Sequence, residues 1–444
     1  MKSSETSVSL ETLVSLCKRR GFVYPAADIY GGINGVYDFG PLGTLLKKNI
    51  RKTWLASLEN DRGPIVELEG SLLAPEAVWK ASGHVEGFHD PMIDCKNCKH
   101  RFRADDTDFS KGCPSCGKND FTDIRNFNMM FKTQLGALES AAATCYLRPE
   151  TAQAIFVNFK NVLTTARVKM PFGIAQAGKA FRNEITPKQF LFRMREFEQM
   201  EIEWFCKPET SNDALAFWIE HRLAFYKAIG ITPEKIRIRE HEKHELAHYA
   251  ARCVDVEYNF PFGWKELEGI AHRGAFDLTQ HTTHSGKDLA VFDEETRESY
   301  MPHVVESSIG VDRLFLTLLF DSYREDEVEG EKRIVLAFAP SIAPITVAFM
   351  PLAKKLSEPV EKLYKAAKLA GLTAQIDESG SIGKRYRRQD EIGTPFCVTY
   401  DFDSEQDHCV TVRDRDTTKQ ERILTDQLID YLKDQMKKER EQRD

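Results

Sequence analysis

The stretch FRNEITPKQFLFRMREFEQMEIEWF, from Phe181 to Phe205, decides the fold of this chain. Side chains alternate across a β-strand, and the alternation here predicts two strands joined by a loop. On the first strand Ala180, Arg182 and Glu184 share a face. On the second strand the residues that share a face are Arg193, Arg195, Phe197, Gln199, Glu201 and Glu203. Guanidinium groups, carboxylates and an aromatic ring on one face indicate a binding floor, because they suit phosphate, a cation and a base.

The composition is that of an ordinary globular protein, with 444 residues of which 42% are hydrophobic and 29% charged. This length predicts two or three domains. No run approaches the roughly 18 apolar residues that a membrane span needs, and the N-terminal segment lacks the apolar stretch of a signal peptide, so we expect a cytoplasmic protein without membrane contact. The net charge is −7, so any surface for nucleic acid must be local.

Two regions of different pattern predict domains at residues 1–330 and 331–444. The charged run 325–332 has no apolar period and is typical of a linker. The strands expected after it are 334–338, 345–349, 397–400 and 410–412, and the expected helices are 354–370 and 424–436. Such alternation indicates an α/β domain with a parallel or mixed sheet. The first region mixes hairpin-like strands with helices such as 215–229, which predicts an α+β fold.

Four cysteines form a compact motif, Cys95-x2-Cys98 and, after fourteen residues, Cys113-x2-Cys116. Two such knuckles can close a tetrahedron of thiolates around zinc, and with all four ligands supplied by the protein the metal would be structural. A metal-free knuckle held by packing is the alternative. The other six cysteines are expected to be buried thiols.

Three further segments each allow two interpretations. Pro41 begins a helix with an apolar stripe, which on its own predicts a core helix. Arg313 falls on the first turn of a helix after Gly310, where a cation opposes the helix dipole. A bound anion, or an ion pair with Asp312 or another nearby acid, would compensate it. Glu150 follows a proline and is either an acid favoured at a helix start or a ligand-binding residue.

The run Gly383-Lys-Arg-Tyr-Arg-Arg388 places cations around an aromatic ring. Such a patch can bind a phosphate backbone and stack a base, or it can be a solvated helix face.

Taken together, three segments resemble the signature motifs of class II aminoacyl-tRNA synthetases. The helix after Gly40-Pro41 resembles motif 1, and Gly310-Val-Asp-Arg313 resembles motif 3. The pattern Arg182-x-Glu184, then Arg193-x-x-x-Phe197, resembles motif 2. The segments that are similar to glycyl-tRNA synthetases of the homodimeric type are RPETAQ at 148–153, REFEQMEIE at 195–203, SGKDL at 285–289, ESSIG at 306–310 and GKRYRRQDEIGTPFCVT at 383–399. The resemblance covers nearly the whole chain.

The resemblance implies an α+β architecture: an antiparallel catalytic sheet flanked by helices, followed by an anticodon-binding α/β domain with a mixed sheet. It implies a zinc-knuckle insertion near 90–120 and a helical insertion near 208–265. It also implies a homodimer that uses ATP and Mg²⁺ to activate glycine and then transfers it to tRNA(Gly). One departure concerns Ala275, where the family pattern leads us to expect an acidic residue.

The resemblance also assigns roles to residues. Arg182 would hold the α-phosphate of ATP and Glu184 the adenine amino group, while Arg313 would bind the γ-phosphate; these three are the expected catalytic residues. Phe197 would stack on adenine. The implied ATP-binding set is Arg182, Asn183, Glu184, Phe192, Arg193, Met194, Arg195, Glu196, Phe197, Glu266, Leu267, Gly310, Val311, Asp312 and Arg313. The implied glycine-binding set is Arg103, Glu150, Phe197, Glu198, Gln199, Met200, Glu201, Glu306, Ser307, Ser308, Ile309 and Gly310.

Other functions fit parts of the same sequence. A class II synthetase for proline, threonine or histidine would share the motifs, although the expected glutamates around the amino acid argue for glycine. A non-catalytic synthetase-like subunit that binds nucleic acid could lose Arg182, Glu184, Arg193 and Arg313, all of which this chain retains. A zinc-ribbon binding module would leave most of the chain unexplained.

Overall fold

The computed structural model describes residues 8–105, 107–137, 144–246, 249–328 and 330–441. Its α-helices are α1 (Leu10–Arg20), α2 (Pro41–Ser57), α3 (Glu76–Ala81), α4 (His84–Gly87), α5 (Ala152–Thr165), α6 (Ser211–Ala228), α7 (Phe276–Ser285), α8 (Val311–Ser322), α9 (Ser357–Leu369), α10 (Ile382–Ile392), α11 (Ser404–Asp407) and α12 (Leu428–Glu441).

The strands before the central hairpin are short, except for β5. They are β1 (Val23–Pro25), β2 (Tyr37–Phe39), β3 (Ile65–Glu67), β4 (Leu73–Pro75), β5 (His89–Asp94), β6 (Arg101–Arg103), β7 (Arg125–Asn128), β8 (Lys132–Gln134) and β9 (Thr144–Leu147). The strands that follow are β10 (Phe172–Phe181), β11 (Glu196–Cys206), β12 (Ile236–Glu240), β13 (Arg252–Phe260), β14 (Gly263–Gly274), β15 (Val291–Phe292), β16 (Ser299–Tyr300), β17 (His303–Gly310), β18 (Tyr323–Val328), β19 (Glu331–Leu336), β20 (Val347–Pro351), β21 (Ala374–Ile376), β22 (Phe396–Tyr400), β23 (Cys409–Asp414) and β24 (Gln420–Leu424).

The central element is a seven-stranded sheet in the order β12-β13-β14-β17-β11-β10-β3. All neighbours are antiparallel except β3, which runs parallel to β10. On one face of β11, Met200, Ile202 and Trp204 pack in the main core together with Ile50 of α2 and Trp218 of α6. The opposite face is apolar only toward its far end, where α5 and α7 cover it. The remainder of that face is left for polar side chains.

The hairpin predicted at Phe181–Phe205 is present, but its strands are shorter at the loop end. β10 ends at Phe181 and β11 begins at Glu196, so Arg182, Glu184 and Arg193 lie in the connecting loop. The amide of Arg182 still donates to the carbonyl of Arg195 at 2.8 Å, which continues the ladder by one bond. The loop therefore keeps these side chains near the strand ends rather than in strict alternation.

The expected helical insertion at 208–265 is helical only in its first part. It contains α6, which ends before Gly230 at φ 90, and then β12, β13 and the start of β14. The strand residues Val254, Val256 and Tyr258 are buried in the main core. Because these strands complete the central sheet, the second half of the segment is part of the catalytic scaffold.

The charged run 325–332 forms a hairpin instead of a loose linker. Strands β18 and β19 pair from Tyr323↔Leu336 to Val328↔Glu331. The guanidinium group of Arg333 donates to Asp326 at 2.7 Å and to the buried Asp390 at 3.1 Å. Asp326 of the run thus has a partner within the fold, which sequence composition does not reveal.

The C-terminal region forms the expected mixed sheet, in the order β21-β20-β22-β23-β24. The first three of these strands are parallel, and the last two pair antiparallel. The last helix begins at Leu428 rather than at 424, because Gln420–Leu424 forms the edge strand β24. Within the described residues, no helix is both long and apolar enough to cross a bilayer.

Candidate active site

A cavity of about 470 Å³ opens over the polar face of the central sheet. The strand register explains which residues form its floor. Glu201 pairs with Gln176 on β10 and with Ser308 on β17. Gln199 pairs with Gly310 in the same way. Because facing residues share a side of the sheet, these side chains point into one space.

One end of this cavity, the arginine end, is lined by Arg103, Arg182, Arg193 and Arg313. The guanidinium of Arg182 lies 5.2 Å from the ring of Phe197, and its Nε donates to the carbonyl of Pro149 at 3.1 Å. Burial raises the pKa of Glu184 above its ordinary value, although the nearby arginines oppose this. These groups form a positive, aromatic wall.

Arg313 pairs with a nearby acid, as one interpretation of the sequence allowed, but that acid is Glu266 and not Asp312. Its guanidinium stacks 4.5 Å over the ring of Phe192 and lies 3.2 Å from the carboxylate of Glu266. The charge of Arg313 holds the pKa of Glu266 below its usual value. Asp312 is turned away and binds Lys47 at 2.8 Å. Arg313 is therefore presented to the cavity at the start of α8.

The other end of the cavity, the carboxylate end, contains Glu150, Glu201 and Glu306. Burial, followed by the charges of Glu306 and Glu150, raises the pKa of Glu201 to about 8. Burial alone would raise the pKa of Glu150, but His84, 3.2 Å away, and Arg273 hold it well below its usual value. Burial also raises the pKa of Glu306, so the pKa values of the three carboxylates are shifted in different directions.

Hydrogen bonds fix the orientation of these carboxylates. The hydroxyl of Thr151 donates to Glu201, and the amide of Gln153 donates to Glu150 at 3.0 Å. The amide of Gln199 donates to the hydroxyl of Ser308 at 3.2 Å. The carboxylate end is therefore preorganised by its neighbours on α5 and the sheet.

Several residues of the sequence-predicted sets have side chains outside the cavity. Alternation puts Glu198, Met200, Ser307 and Ile309 on the opposite face of the sheet, so only their backbone can reach a ligand. Glu198 binds Lys47 at 2.9 Å and Arg51 at 2.9 Å. The other predicted residues that do not line the cavity are Asn183, Arg195, Glu196, Leu267 and Val311.

Arg195 illustrates the difference from strict alternation. It was expected to share the binding face with Arg193. Instead its guanidinium donates to the carbonyl oxygens of Glu184 at 2.9 Å and Asn34 at 2.7 Å. Arg195 therefore braces the loop that carries Glu184.

Sequence reasoning missed several lining residues. Gly269 and Ala271 stand opposite Ser308 and Glu306 on β14. Their small side chains keep the floor open, and alternation along β14 could have identified them. The others are Asp90, Met129, Leu191, His241, Glu245, Tyr249, Ala250, Cys253 and Asp255, for which no sequence pattern gave a signal.

Arg273 was also missed as a site residue. It is buried, and its guanidinium donates to Glu306 at 2.6 Å and to Asp277 at 2.7 Å. The spacing Arg273-x3-Asp277 was the available signal, since these residues flank the start of α7. Ala275, where an acid was expected, precedes α7 and provides no side-chain cap.

The four-cysteine motif lies on the small sheet of β5, β6 and β7. The Sγ atoms of Cys95 and Cys116 are 3.7 Å apart, and those of Cys98 and Cys113 are 3.6 Å apart. A Zn–S bond of roughly 2.3 Å gives tetrahedral S···S edges of about 3.8 Å, so the donor set fits zinc. β6 also carries Arg103, whose guanidinium lies 3.3 Å from Asp90 of β5. The small sheet thus connects the knuckles with the cavity, because Asp90 and Arg103 line the cavity.

The cationic run at 383–388 lies on α10 and is largely engaged within the protein. Arg385 is buried and donates to the carbonyl of Pro351 at 2.6 Å. Arg388 pairs with Asp377 at 2.5 Å. Lys384 is exposed. The interpretation of the whole run as a phosphate-binding patch is therefore not supported for Arg385 and Arg388.

The arginine end, the carboxylate end and the antiparallel floor define a class II tRNA synthetase. The family model described as the tRNA synthetase class II core domain (G, H, P, S and T) matches residues 131–323, and the anticodon binding domain model matches 346–435. The chain is 50% identical, over 97% of its length and 99% of the relative, to the glycine–tRNA ligase of Caldanaerobacter subterraneus subsp. tengcongensis.

Two further relatives give the same result. The glycine–tRNA ligase of Lachnospira eligens is 49% identical over 97% of this chain and 99% of its own length. The glycine–tRNA ligase of Acetivibrio thermocellus is 49% identical over 96% of this chain and 98% of its own length. The chain belongs to the glycine–tRNA ligase family. The sequence-based assignment of the family and of the α+β fold is confirmed.

Proposed function

We propose that the protein joins glycine to tRNA(Gly) in two steps, using ATP to form glycyl-adenylate. The observation that carries this proposal is one cavity with guanidinium groups at one end and buried carboxylates at the other. The family relationship supports the same reaction.

The arginine end suits ATP. In this proposal Arg182 contacts the α-phosphate, Arg313 contacts the γ-phosphate, and Phe197 stacks on adenine. Glu184 would accept from the adenine amino group. Mg²⁺ would neutralise charge on the phosphates, and the carboxylate of Glu266, whose side chain is 50% exposed, is accessible to it.

The carboxylate end suits the ammonium group of glycine. Glu150, Glu201 and Glu306 would surround it, with Ser308 and Gly310 beside them. A hydrophobic pocket separates substrates that differ by one methylene by only about 1–3 kcal/mol. Carboxylates packed against the α-carbon exclude any larger amino acid by sterics, which gives a steeper discrimination.

The chemistry requires no nucleophilic side chain. The carboxylate of glycine attacks the α-phosphorus, and pyrophosphate leaves. Negative charge builds on the phosphoryl oxygens, so Arg182 and Arg313, fixed by stacking and hydrogen bonds, lower the barrier electrostatically. The glycyl group then moves from the adenylate to the terminal ribose hydroxyl of tRNA.

A structural zinc ion is proposed, with the thiolates of Cys95, Cys98, Cys113 and Cys116 as its four ligands. Its support is the Sγ spacing of 3.6–3.7 Å in each close pair. Bound zinc would hold the two knuckles together. The closed knuckles would in turn keep β5 and β6 in place, and these strands carry Asp90 and Arg103, which line the cavity.

We also propose a homodimer in the cytoplasm. Ile29, Tyr30 and Ile33 are 89%, 87% and 54% exposed, close in sequence to the motif 1 helix α2. Large exposed apolar side chains at one site favour contact with another protein surface, and a second copy is the expected partner.

The deciding experiment is ATP–pyrophosphate exchange with each amino acid, with and without tRNA. Exchange with glycine alone, without tRNA, followed by charging of tRNA(Gly), is expected. Exchange with proline, threonine or histidine instead would assign another synthetase activity. No exchange with any amino acid by a folded protein would favour a non-catalytic subunit.

A further inference from the structure

Glu203 lies on the same face of β11 as Glu201, deeper in the sheet, and is wholly buried. It stands directly opposite Glu306 in the register of β11 with β17. Carboxylate oxygens of Glu201, Glu203 and Glu306 lie within 4.8 Å of one another. Within the described residues, neither oxygen of Glu203 accepts a hydrogen bond from an N–H or hydroxyl group.

The surroundings of Glu203 disfavour a negative charge. On β10 it faces the apolar Ile174. The cation with the largest effect on it is Arg273, and that guanidinium already binds Glu306 at 2.6 Å and Asp277 at 2.7 Å. The charged and titratable groups around this cluster are Glu150, Glu201, Glu306, Asp277, Arg273 and Tyr249.

A buried carboxylate without a donor is expected to hold a proton instead of a charge. Burial, followed by the charge of Glu306, raises the pKa of Glu203 well above its usual value. A protonated carboxyl group is also a hydrogen-bond donor. The nearest acceptor in the strand register is Glu306.

We propose that Glu203 is a positioning residue: it remains a neutral carboxylic acid, and its O–H group donates a hydrogen bond to Glu306. Arg273 donates to Oε2 of Glu306 from one side, and Glu203 supplies a second donor from below. Glu306 is thereby fixed for the ammonium group of glycine, without a further negative charge in the floor. This inference rests on the proposed function, because it assigns Glu306 to glycine.

The test compares Glu203→Gln with Glu203→Met. Glutamine is neutral and retains a donor, whereas methionine has similar length and no donor. Loss of one hydrogen bond to a charged group should raise the KM for glycine roughly ten- to hundredfold in Glu203→Met. Glu203→Gln should rescue most of that loss, and the KM for ATP should stay near the wild-type value in both variants.

Two results would overturn the inference. An unchanged KM for glycine in Glu203→Met would show that Glu203 does not position Glu306. Equal impairment in Glu203→Gln and Glu203→Met would show that a neutral donor cannot replace the side chain, and hence that its charge is required. Thermal unfolding of each variant is measured alongside, so that a loss of stability is distinguished from a loss of glycine affinity.

An infrared measurement keeps the inference testable even if Glu203→Met does not fold. The wild type minus Glu203→Gln difference spectrum should contain the C=O stretch of a protonated carboxylic acid at neutral pH. Its absence would contradict the proposal. A wild-type protein that fails to activate glycine but retains this band would instead refute the proposed function alone.

Discussion

The ammonium group of Lys47 lies 2.8 Å from a carboxylate oxygen of Asp312, buried beneath the sheet. Lys47 belongs to α2 and Asp312 to α8, and Glu198 of β11 joins them at 2.9 Å. The amide of Glu198 also donates to Asp312 at 2.7 Å. The helices of motifs 1 and 3 and the second strand of motif 2 are therefore tied together by one buried ion cluster.

Replacing Lys47 by methionine should strongly destabilise the protein. It leaves Asp312 without its cation in a buried site, and breaking a buried ion pair costs about 3–5 kcal/mol. Urea unfolding measures the loss in the free energy of unfolding. The neighbouring Lys48 is exposed, so Lys48→Met should change it by less than about 0.5 kcal/mol. Equal effects of the two changes would contradict a structural role for the cluster.

Replacing Glu201 by glutamine should weaken glycine binding selectively. At a pH above the pKa of Glu201, the change removes a charge that faces the ammonium group, so the KM for glycine should rise roughly ten- to hundredfold. The KM for ATP should change by less than about threefold. ATP–pyrophosphate exchange provides both values, with Glu209→Gln, an exposed acid outside the cavity, as the control. A comparable loss for both substrates would argue against the assignment of Glu201 to glycine.

The apparent affinity for glycine should depend on pH. Burial and the neighbouring acids Glu306 and Glu150 raise the pKa of Glu201 to about 8 in the empty pocket. Below that pH the carboxyl is protonated and attracts the ammonium group less, so kcat/KM for glycine should increase as pH rises toward 8 and then level off. The limiting slope is about tenfold per pH unit.

The same profile in Glu201→Gln tests the origin of this slope. The variant has no titrating group at this position, so the increase should flatten while the profile for ATP stays the same. A slope that persists unchanged would assign it to another group.

Removing zinc should disturb the cavity as well as the knuckles. Cys98→Ser should reduce the amount of bound zinc per chain, which atomic emission measures. It should also raise the KM for glycine, because Arg103 lies on β6 between the two knuckles. Cys409→Ser, at a cysteine outside the cluster, should leave both values unchanged. Full zinc content in Cys98→Ser, or purified wild-type protein without zinc, would contradict the metal assignment.

Local patterns in the sequence predicted much of the site. Alternation along Glu196–Cys206 identified Phe197, Gln199 and Glu201 as cavity residues, because a strand fixes which side chains share a face. Arg313 was predicted on the first turn of a helix, where a bound anion could compensate its charge, and it lines the cavity at the start of α8. The cysteine spacing of 95–116 predicted a compact cluster, since each knuckle is closed over a few residues.

Long-range packing decided the remainder. Arg195 was expected on the binding face, and a phosphate-binding patch was one interpretation of the run that contains Arg385 and Arg388. In the structure, carbonyl and carboxylate groups from other parts of the chain engage all three. The run 325–332 looked like a linker, but cross-strand pairing and the buried Asp390 make it a hairpin. Composition carries no information about such partners.

By itself the sequence determined the family, through its resemblance to known motifs, and it predicted the α+β class and the hairpin, because these follow from residue identity and short-range periodicity. The tertiary structure decided which carboxylates share one space and therefore in which direction the pKa of each one is shifted. Glu201, Glu203 and Glu306 come from two strands separated by about a hundred residues of chain, and only the strand register brings their oxygens within 4.8 Å. Their repulsion and burial are properties of that register, since an isolated glutamate in water has neither.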